Sequence, residues 1–351
     1  VQFVSLHTHS TFSYGDGLGM PAEHVARVAE LGMKALALTD HGNVSGHVKL
    51  DQAAKAAGIK PIFGLEAYTG PKEMREIKQR AKWHQTILAA DQTGYHNLMQ
   101  LVSRSYSEGF YHDPTIHWDM LVDHNEGLII TSGCADSLLS STLLGGQKAI
   151  EVGSERAAIG ILKAYQRLFG DRFYLEVQAF PTLERTRRIN AAFQEWSVRF
   201  GVGLVATRDV HHPLPEQTEL RKILHAANRG IASVDVAAAQ WEYDVPCTYP
   251  ATDHDLFDAL RATGLSTIGA MQAIKNSAEI ADRCNVELPS MARVQYPFAQ
   301  DGAESPDDLI RQWLSEGWVL RGFDRLDPVQ RRAARQRVQR ELDVFEQKDF
   351  I

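Results

Sequence analysis

Residues 35–57 read ALALTDHGNVSGHVKLDQAAKAA. The apolar run Ala35–Thr39 ends on Asp-His-Gly, and a helix-period stretch follows from about Ser45 to Ala57, so the segment reads as strand, turn and helix. The same unit recurs on both sides. Phe3–His7 reads as a strand, and Pro21–Leu31 as a helix with Ala22, Val25, Ala26, Val28 and Ala29 as its apolar face and Gly32 as its stop. Further strands read at Pro61–Leu65, Thr86–Ala90, Leu128–Thr131, Phe173–Val177 and Leu204–Thr207, with helices such as Thr186–Phe200 between them. Such βα repetition predicts a parallel sheet, either a barrel or a doubly wound sheet.

The residues that end these runs decide between the two. Nine metal-type side chains fall in seven short clusters: His7 and His9, Asp16, His41, Glu66, His84, Cys134, and Asp209 with His211. His7, His41, Glu66, Cys134 and Asp209 stand at or just past the C-terminal ends of five different strands. A closed barrel gathers such ends at one mouth, whereas an open sheet spreads them across roughly 20 Å. The barrel is therefore expected. His84 is the exception, because it precedes its strand; either that strand runs the other way or its loop folds inward.

On an extended chain, residues two apart share a face, so His7/His9 and Asp209/His211 each aim two donors about 7 Å apart at one place. One such pair is commonplace on a surface; two, at opposite ends of one βα array, point to metal. Imidazole, carboxylate and a lone thiolate suit zinc, manganese or iron better than magnesium. Nine donors are enough for three divalent ions, and several cations together suit phosphate chemistry, where charge builds on oxygen.

Single members also have plainer readings. Cys134 resembles a small buried hydrophobe except for its place after an apolar strand. Asp16 lies in a Gly-flanked turn that suits a purely turn-forming Asp. Glu66 closes an apolar strand, where an uncompensated carboxylate would be costly to bury. Of the other histidines, His112 and His212 come nearest to ligand positions, and Glu176 reads as a residue standing behind the ligands.

The chain has 351 residues, 44% of them hydrophobic, and a net charge of −7. No apolar stretch approaches the roughly 18–20 residues of a membrane span, and the opening VQFVSLHTHS lacks the marks of a signal peptide. Three scattered cysteines (Cys134, Cys247, Cys284) make no disulfide framework, so a cytoplasmic location is expected. The acidic balance argues against nucleic acid as a partner, but residues 72–82 carry five basic against two acidic groups, and residues 311–340 carry eight arginines. Beyond about residue 245 strand alternation stops. Helices read at Asp255–Ala262, Ala270–Cys284, Asp307–Glu316 and Pro328–Gln347, so the expected division is a barrel over residues 1–245 and a helical segment over 246–351.

The blocks HTHS, DGL, LTDHG, KPIFGLE, GYHNL, EGLIITSGC and DVH, in that order, resemble the PHP (polymerase and histidinol phosphatase) domain of bacterial or phage DNA polymerase III alpha subunits. The resemblance covers roughly residues 3–245; beyond it NSAEIADRCNVELP and RELDVFEQKDFI resemble the stretch leading into that family's palm domain. It implies a distorted (β/α)7 barrel with a trinuclear metal centre, whose ligands fall on His7, His9, Asp16, His41, Glu66, His84, Cys134, Asp209 and His211. Members of the family that lose several ligands are inactive. All nine are present here, which implies a 3′→5′ DNA exonuclease able to proofread, with Asp16, Glu66 and Asp209 as its catalytic carboxylates and Glu66 bridging two ions. Arg208 and the HDPT string at 112–115 depart from the usual pattern.

The implied chemistry is in-line attack on the terminal phosphodiester by hydroxide generated at the metals, releasing a nucleoside 5′-monophosphate. The implied partner is a DNA primer 3′ end, with a sliding clamp, a separate exonuclease subunit and polymerase Mg²⁺ engaged by other regions of a longer replicase. No PDxDxD-like palm string occurs in this sequence, so the chain itself is expected to extend no primer. A histidinol-phosphatase-like phosphomonoesterase and a metal-braced structural module are the competing readings.

Overall fold

The computed structural model describes residues 2–78, 81–145, 153–230, 248–289, 302, 304–348 and 350; Cys247 lies outside them. It contains two compact units, Val1–Leu288 and Pro289–Ile351.

In the first unit seven strands share one curled sheet: β1 (Ala35–Leu38), β2 (Lys60–Thr69), β3 (Trp83–Ala89), β4 (Thr115–Ile116), β5 (Leu128–Thr131), β6 (Phe173–Gln178) and β7 (Gly203–Thr207). Their order is β1-β2-β3-β5-β6-β7, with the short β4 paired to the end of β2. β3 runs antiparallel to both β2 and β5, while β1/β2, β5/β6 and β6/β7 are parallel.

The N-terminal segment links the sheet's two edges. Ser5 bridges Leu36 of β1 and Thr8 bridges Val210 beyond β7. Ala37 N donates to Ser5 O (2.8 Å), and His9 N donates to Val210 O (2.7 Å). Phe3–His7 reads as a strand in the sequence; it is instead an extended segment that changes neighbours partway, so it forms isolated bridges rather than a ladder. The resulting α/β barrel is the one its strand ends predict.

Helices clothe the outside. They include α1 (Pro21–Glu30), α2 (His47–Ala57), α3 (Met74–Ile77), α4 (Gln92–Ser107), α5 (Trp118–Asp123), α6 (Leu138–Leu144), α7 (Glu155–Phe169), α8 (Glu184–Phe200) and α9 (Thr218–Asn228). Side chains such as Val25, Leu50, Leu98, Leu162 and Phe193 from five of them pack with Leu36, Phe63, Ile87 and Ile130 of the sheet in one core.

The alternate residues of the strands face inward and form layers, as the two-residue period of a strand requires. Ala35, Ile62, Leu88, Ile129, Tyr174 and Val205 make an apolar floor. One step toward the mouth, Thr39, Thr86, Thr131 and Thr207 are all buried, with Glu176 in the same layer. The next step brings His41, Glu66, His84 and Asp209. The floor thus excludes water, the threonines offer hydroxyls, and the mouth holds the donors.

The compact unit runs past residue 245. Helices α10 (Asp253–Ala262) and α11 (Thr267–Arg283) belong to it. Leu256, Leu260, Ala270 and Ala273 join the outer core, and Ile280, Ala281 and Cys284 join the floor. Phe3 N donates to Asp253 Oδ1 (2.9 Å) and Val4 N to Ser277 Oγ (3.1 Å). Loss of strand alternation marks the end of the sheet, but helical periodicity does not reveal which core a helix completes. Burying the five large apolar side chains of this stretch, Leu256, Leu260, Leu265, Ile274 and Ile280, is worth on the order of 10 kcal/mol against exposing them.

The second unit contains α12 (Pro306–Leu320) and α13 (Pro328–Gln347), capped at their N-termini by Ser305 and Asp327. Among the described residues no helix is long and apolar enough to cross a membrane.

Candidate metal centre

All nine ligand-type residues meet at the mouth. His7 Nε2 lies 3.1 Å from His9 Nε2, 3.2 Å from Glu66 Oε1 and 3.3 Å from Asp209 Oδ1. His41 Nδ1 lies 2.7 Å from Glu66 Oε2, and its Nε2 lies 3.1 Å from Asp16 Oδ2. His211 Nε2 is 3.4 Å from the same Asp16 oxygen. His84 Nδ1 is 3.3 Å from Glu66 Oε1 and 3.6 Å from Cys134 Sγ. Three triplets, His7/His9/Glu66, His9/His41/His211 and His41/Glu66/His84, each bring one donor atom per residue within 4.8 Å of the others.

Local backbone explains the convergence. β3 is the reversed strand, so its first residues rather than its last reach the mouth; that is how His84 joins the site. Gly133 has φ +75°, and a Cβ there would stand 2.4 Å from His84 O. The turn can therefore press against β3 and bring Cys134 to His84. Asp209 itself adopts φ +50°, a strained backbone for a residue with a side chain.

The imidazoles are oriented from behind. His7 Nδ1 donates to Glu176 Oε1 (2.8 Å), and His211 Nδ1 donates to Asp209 O (2.8 Å). His9 Nδ1 donates to Ser13 Oγ (2.9 Å), whose own proton goes to Asp40 Oδ1 (2.8 Å). With those protons fixed outward, the Nε2 lone pairs of His7, His9 and His211 point inward, the tautomer a metal ligand needs.

They point at one another and at carboxylates. Both oxygens of Glu66, together with Asp209 Oδ1, are buried without a well-aligned hydrogen bond, and what crowds them is imidazole nitrogen, with His41 Nδ1 2.7 Å from Oε2. Buried acceptors facing acceptors are costly unless a cation lies between them, so the donor set fits metal ions. Electrostatics agree. Burial opposes the charge on Asp16 and Glu66, yet His211, His41 and Arg221 hold Asp16 well below the carboxylate range, and His84, His7 and His41 do the same for Glu66. Burial would lower His41, but Glu66 and Asp16 raise it to about 10. Burial, with Glu66, Asp136 and Asp209, pushes the Cys134 thiol well above its usual range, so forming its thiolate calls for a cation.

Several contributors, the threonines around Glu176 and the pair Arg221 and His225, are not apparent from sequence. Glu176 also accepts from Thr86 (3.1 Å), Thr131 (2.5 Å) and Thr207 (2.7 Å). The available signal was the repeated Thr two residues from a ligand, in Thr39/His41, His84/Thr86 and Thr207/Asp209. Arg221 of α9 donates to Asp16 Oδ1 (2.8 Å), and His225 Nε2, one turn on, lies 4.0 Å away from it; both line a cavity of about 100 Å³ above the cluster. His212 is held structurally by Leu214 O (2.8 Å) and Thr248 Oγ1 (3.0 Å), and Arg208 stacks its guanidinium over Tyr249 at 5.4 Å.

Residues 5–180 match the PHP domain, and the chain belongs to that family. Among curated relatives, DNA polymerase III subunit alpha of Thermus aquaticus is 33% identical over 339 residues, covering 93% of this chain and 26% of that protein. The subunit from Treponema pallidum (strain Nichols) is 31% identical over 358 residues, covering 100% of this chain and 29% of that one. The chain thus spans about a quarter of the length of these relatives. A solved structure assigned as a metal-dependent phosphoesterase from Bifidobacterium adolescentis shares 13% identity at a TM-score of 0.42, covering 60% of this chain and 88% of that one, a partial overlap only.

Proposed function

We propose that this chain is a metal-dependent phosphodiesterase domain that removes nucleotides from DNA 3′ ends, as the N-terminal region of a DNA polymerase III alpha subunit. The observation that carries the reading is the cluster of buried carboxylate oxygens without well-aligned hydrogen bonds, on Glu66 and Asp209, crowded by inward-turned imidazoles. Nine donors suit three divalent transition-metal ions, zinc, manganese or iron. Bound there, such ions supply hydroxide from water near neutral pH and positive charge beside phosphate oxygens.

The chain's own residues do the rest. Asp16, Glu66 and Asp209 are the catalytic carboxylates, with Glu66 offering both oxygens. Arg221 fixes Asp16 and brings a guanidinium to the cavity where a phosphate would lie. The apolar floor keeps bulk water from the underside of the site. In the reaction, water adds to phosphorus while the penultimate 3′-oxygen leaves and takes up a proton, releasing a nucleoside 5′-monophosphate. Polymerisation with its Mg²⁺, and contacts to a sliding clamp or a separate exonuclease subunit, fall to regions of the longer protein outside this chain.

The test is digestion of a 3′-hydroxyl oligonucleotide by the Mn²⁺-loaded protein, with Asp16→Asn as control. Stepwise release of mononucleotides supports the reading. Rapid hydrolysis of a small phosphomonoester with the oligonucleotide untouched would replace it with a phosphatase.

A further inference from the structure

Beside the metal cluster lies a second cavity of about 500 Å³, which shares Asp16, His41 and His84 with it. Its lining combines four aromatic rings, Phe12, Tyr14, Tyr68 and Tyr106, with charges of both signs, Lys82 and Arg229 beside Asp16 and Asp136. A single nucleotide fits such a volume, since pockets for small ligands run from roughly 300 to 1,000 Å³. The aromatic rings are not equivalent. Tyr68 is stacked on His41 (5.6 Å between centroids) and carries Lys82 Nζ over its ring at 4.0 Å. Tyr106 is stacked against Phe110. Tyr14, by contrast, is 90% exposed.

An aromatic side chain so open is costly to display, and the turn that carries this one is packed against its neighbour. Gly15 has φ +75°, and a Cβ there would lie 2.2 Å from Asn228 Cγ. The turn therefore lies flush on α9, which sets Tyr14 at the cavity rim two residues before Asp16. Asn228, also in the lining, brings an amide suited to a base edge, whereas Asn43 spends its amide on Phe12 O, His41 O and Ser45 N.

We propose that this cavity seats the terminal nucleoside of a single strand, with the Tyr14 ring stacked on its base. The proposal rests on the phosphodiesterase reading and deepens it. Base–aromatic stacking accepts any base, because every base has a π-face, and it requires that face to be open. A paired base inside a duplex does not offer one. The seat thus selects frayed or mismatched ends over paired ends, whereas a small phosphomonoester would leave the rim unused.

The experiment compares equilibrium binding to two oligonucleotides whose terminal linkage is a phosphorothioate, one ending in thymidine and one in an abasic sugar. Wild-type protein should bind the base-bearing end on the order of 10-fold more tightly, the gain of one aromatic–base stack. Tyr14→Ala should bind the two ends equally, and Tyr14→Trp should restore the preference, which a general loss of folding could not do. A preference that survives in Tyr14→Ala, or none in wild type, overturns the stacking. Wild-type protein that digests an ordinary oligonucleotide yet is indifferent to the terminal base overturns the stacking alone. No digestion at all by the metal-loaded protein overturns both readings.

Discussion

His7 and Glu176, 169 positions apart in the chain, meet at 2.8 Å between Nδ1 and Oε1, and both are fully buried. Among the described residues no lysine or arginine pairs with Glu176. Its charge rests on His7 and three threonine hydroxyls, so its work is to fix the His7 ring. Glu176→Ala should lower metal retention or activity by about 10- to 100-fold, with Glu176→Gln intermediate because its carbonyl can still accept the Nδ1 proton. Metal content after dialysis against a weak chelator, read beside circular dichroism, checks this; wild-type retention in Glu176→Ala would show the carboxylate to be idle.

Elemental analysis of protein never exposed to chelator should return about three equivalents of transition metal, the capacity of nine donors. His9→Ala and Asp209→Asn should each lower it sharply, since His9 contributes to two of the donor triplets and Asp209 faces both His7 and His9. One equivalent or fewer in wild type would contradict a three-ion centre.

Chelation and Asp16→Asn should each abolish 3′→5′ digestion of single-stranded or mismatched DNA ends, a loss of at least about 100-fold. The same preparation should incorporate no nucleotide on a primed template. Template-dependent extension by these 351 residues would overturn the division of labour between this region and the rest of a longer polymerase.

His47 gives a pH signature away from the metals. Burial lowers it to about 4, and its Nε2–H donates to Gly64 O at 2.9 Å, so the folded protein holds it neutral. An unfolded histidine takes a proton near pH 6.5. Its contribution is therefore present above pH 6.5 and is lost as pH falls toward 4. In chelated protein, the gap in unfolding free energy between wild type and His47→Gln should narrow by roughly 2 kcal/mol from pH 7 to pH 5. Denaturant titrations at the two pH values measure it, and a constant gap would count against a neutral buried imidazole.

Cutting the chain after Leu288 should leave the barrel folded, because the first compact unit ends there. Cutting after residue 245 strips α10 and α11 from both cores and should cost more than about 5 kcal/mol. Thermal unfolding of the two truncations decides the point; equal melting temperatures would return the boundary to residue 245.

The barrel and the gathering of nine ligand-type side chains at its mouth were legible because those residues terminate apolar runs, and a parallel barrel collects such ends. His84 was ambiguous because one-dimensional periodicity carries no strand direction. Arg221 was invisible for a different reason. It sits in TELRKILHAAN, where a charged residue on a helix reads as a solvated face, and only folding α9 over Asp16 buries it. Tyr14 was equally silent, since nothing in SYGDG tells an exposed ring from a buried one. Helices α10 and α11 were found, but their attachment was not, because amphipathicity gives a face and not a partner.

The reversal of β3 has one more consequence. Since β2 ends and β3 begins at the mouth, the two are linked at that end of the barrel as a hairpin instead of by a crossover along its wall. Insertions or deletions there change neither strand register nor any ligand's position. Evolution can therefore lengthen, shorten or recharge this link beside the entrance while the donor cluster at the mouth keeps its geometry.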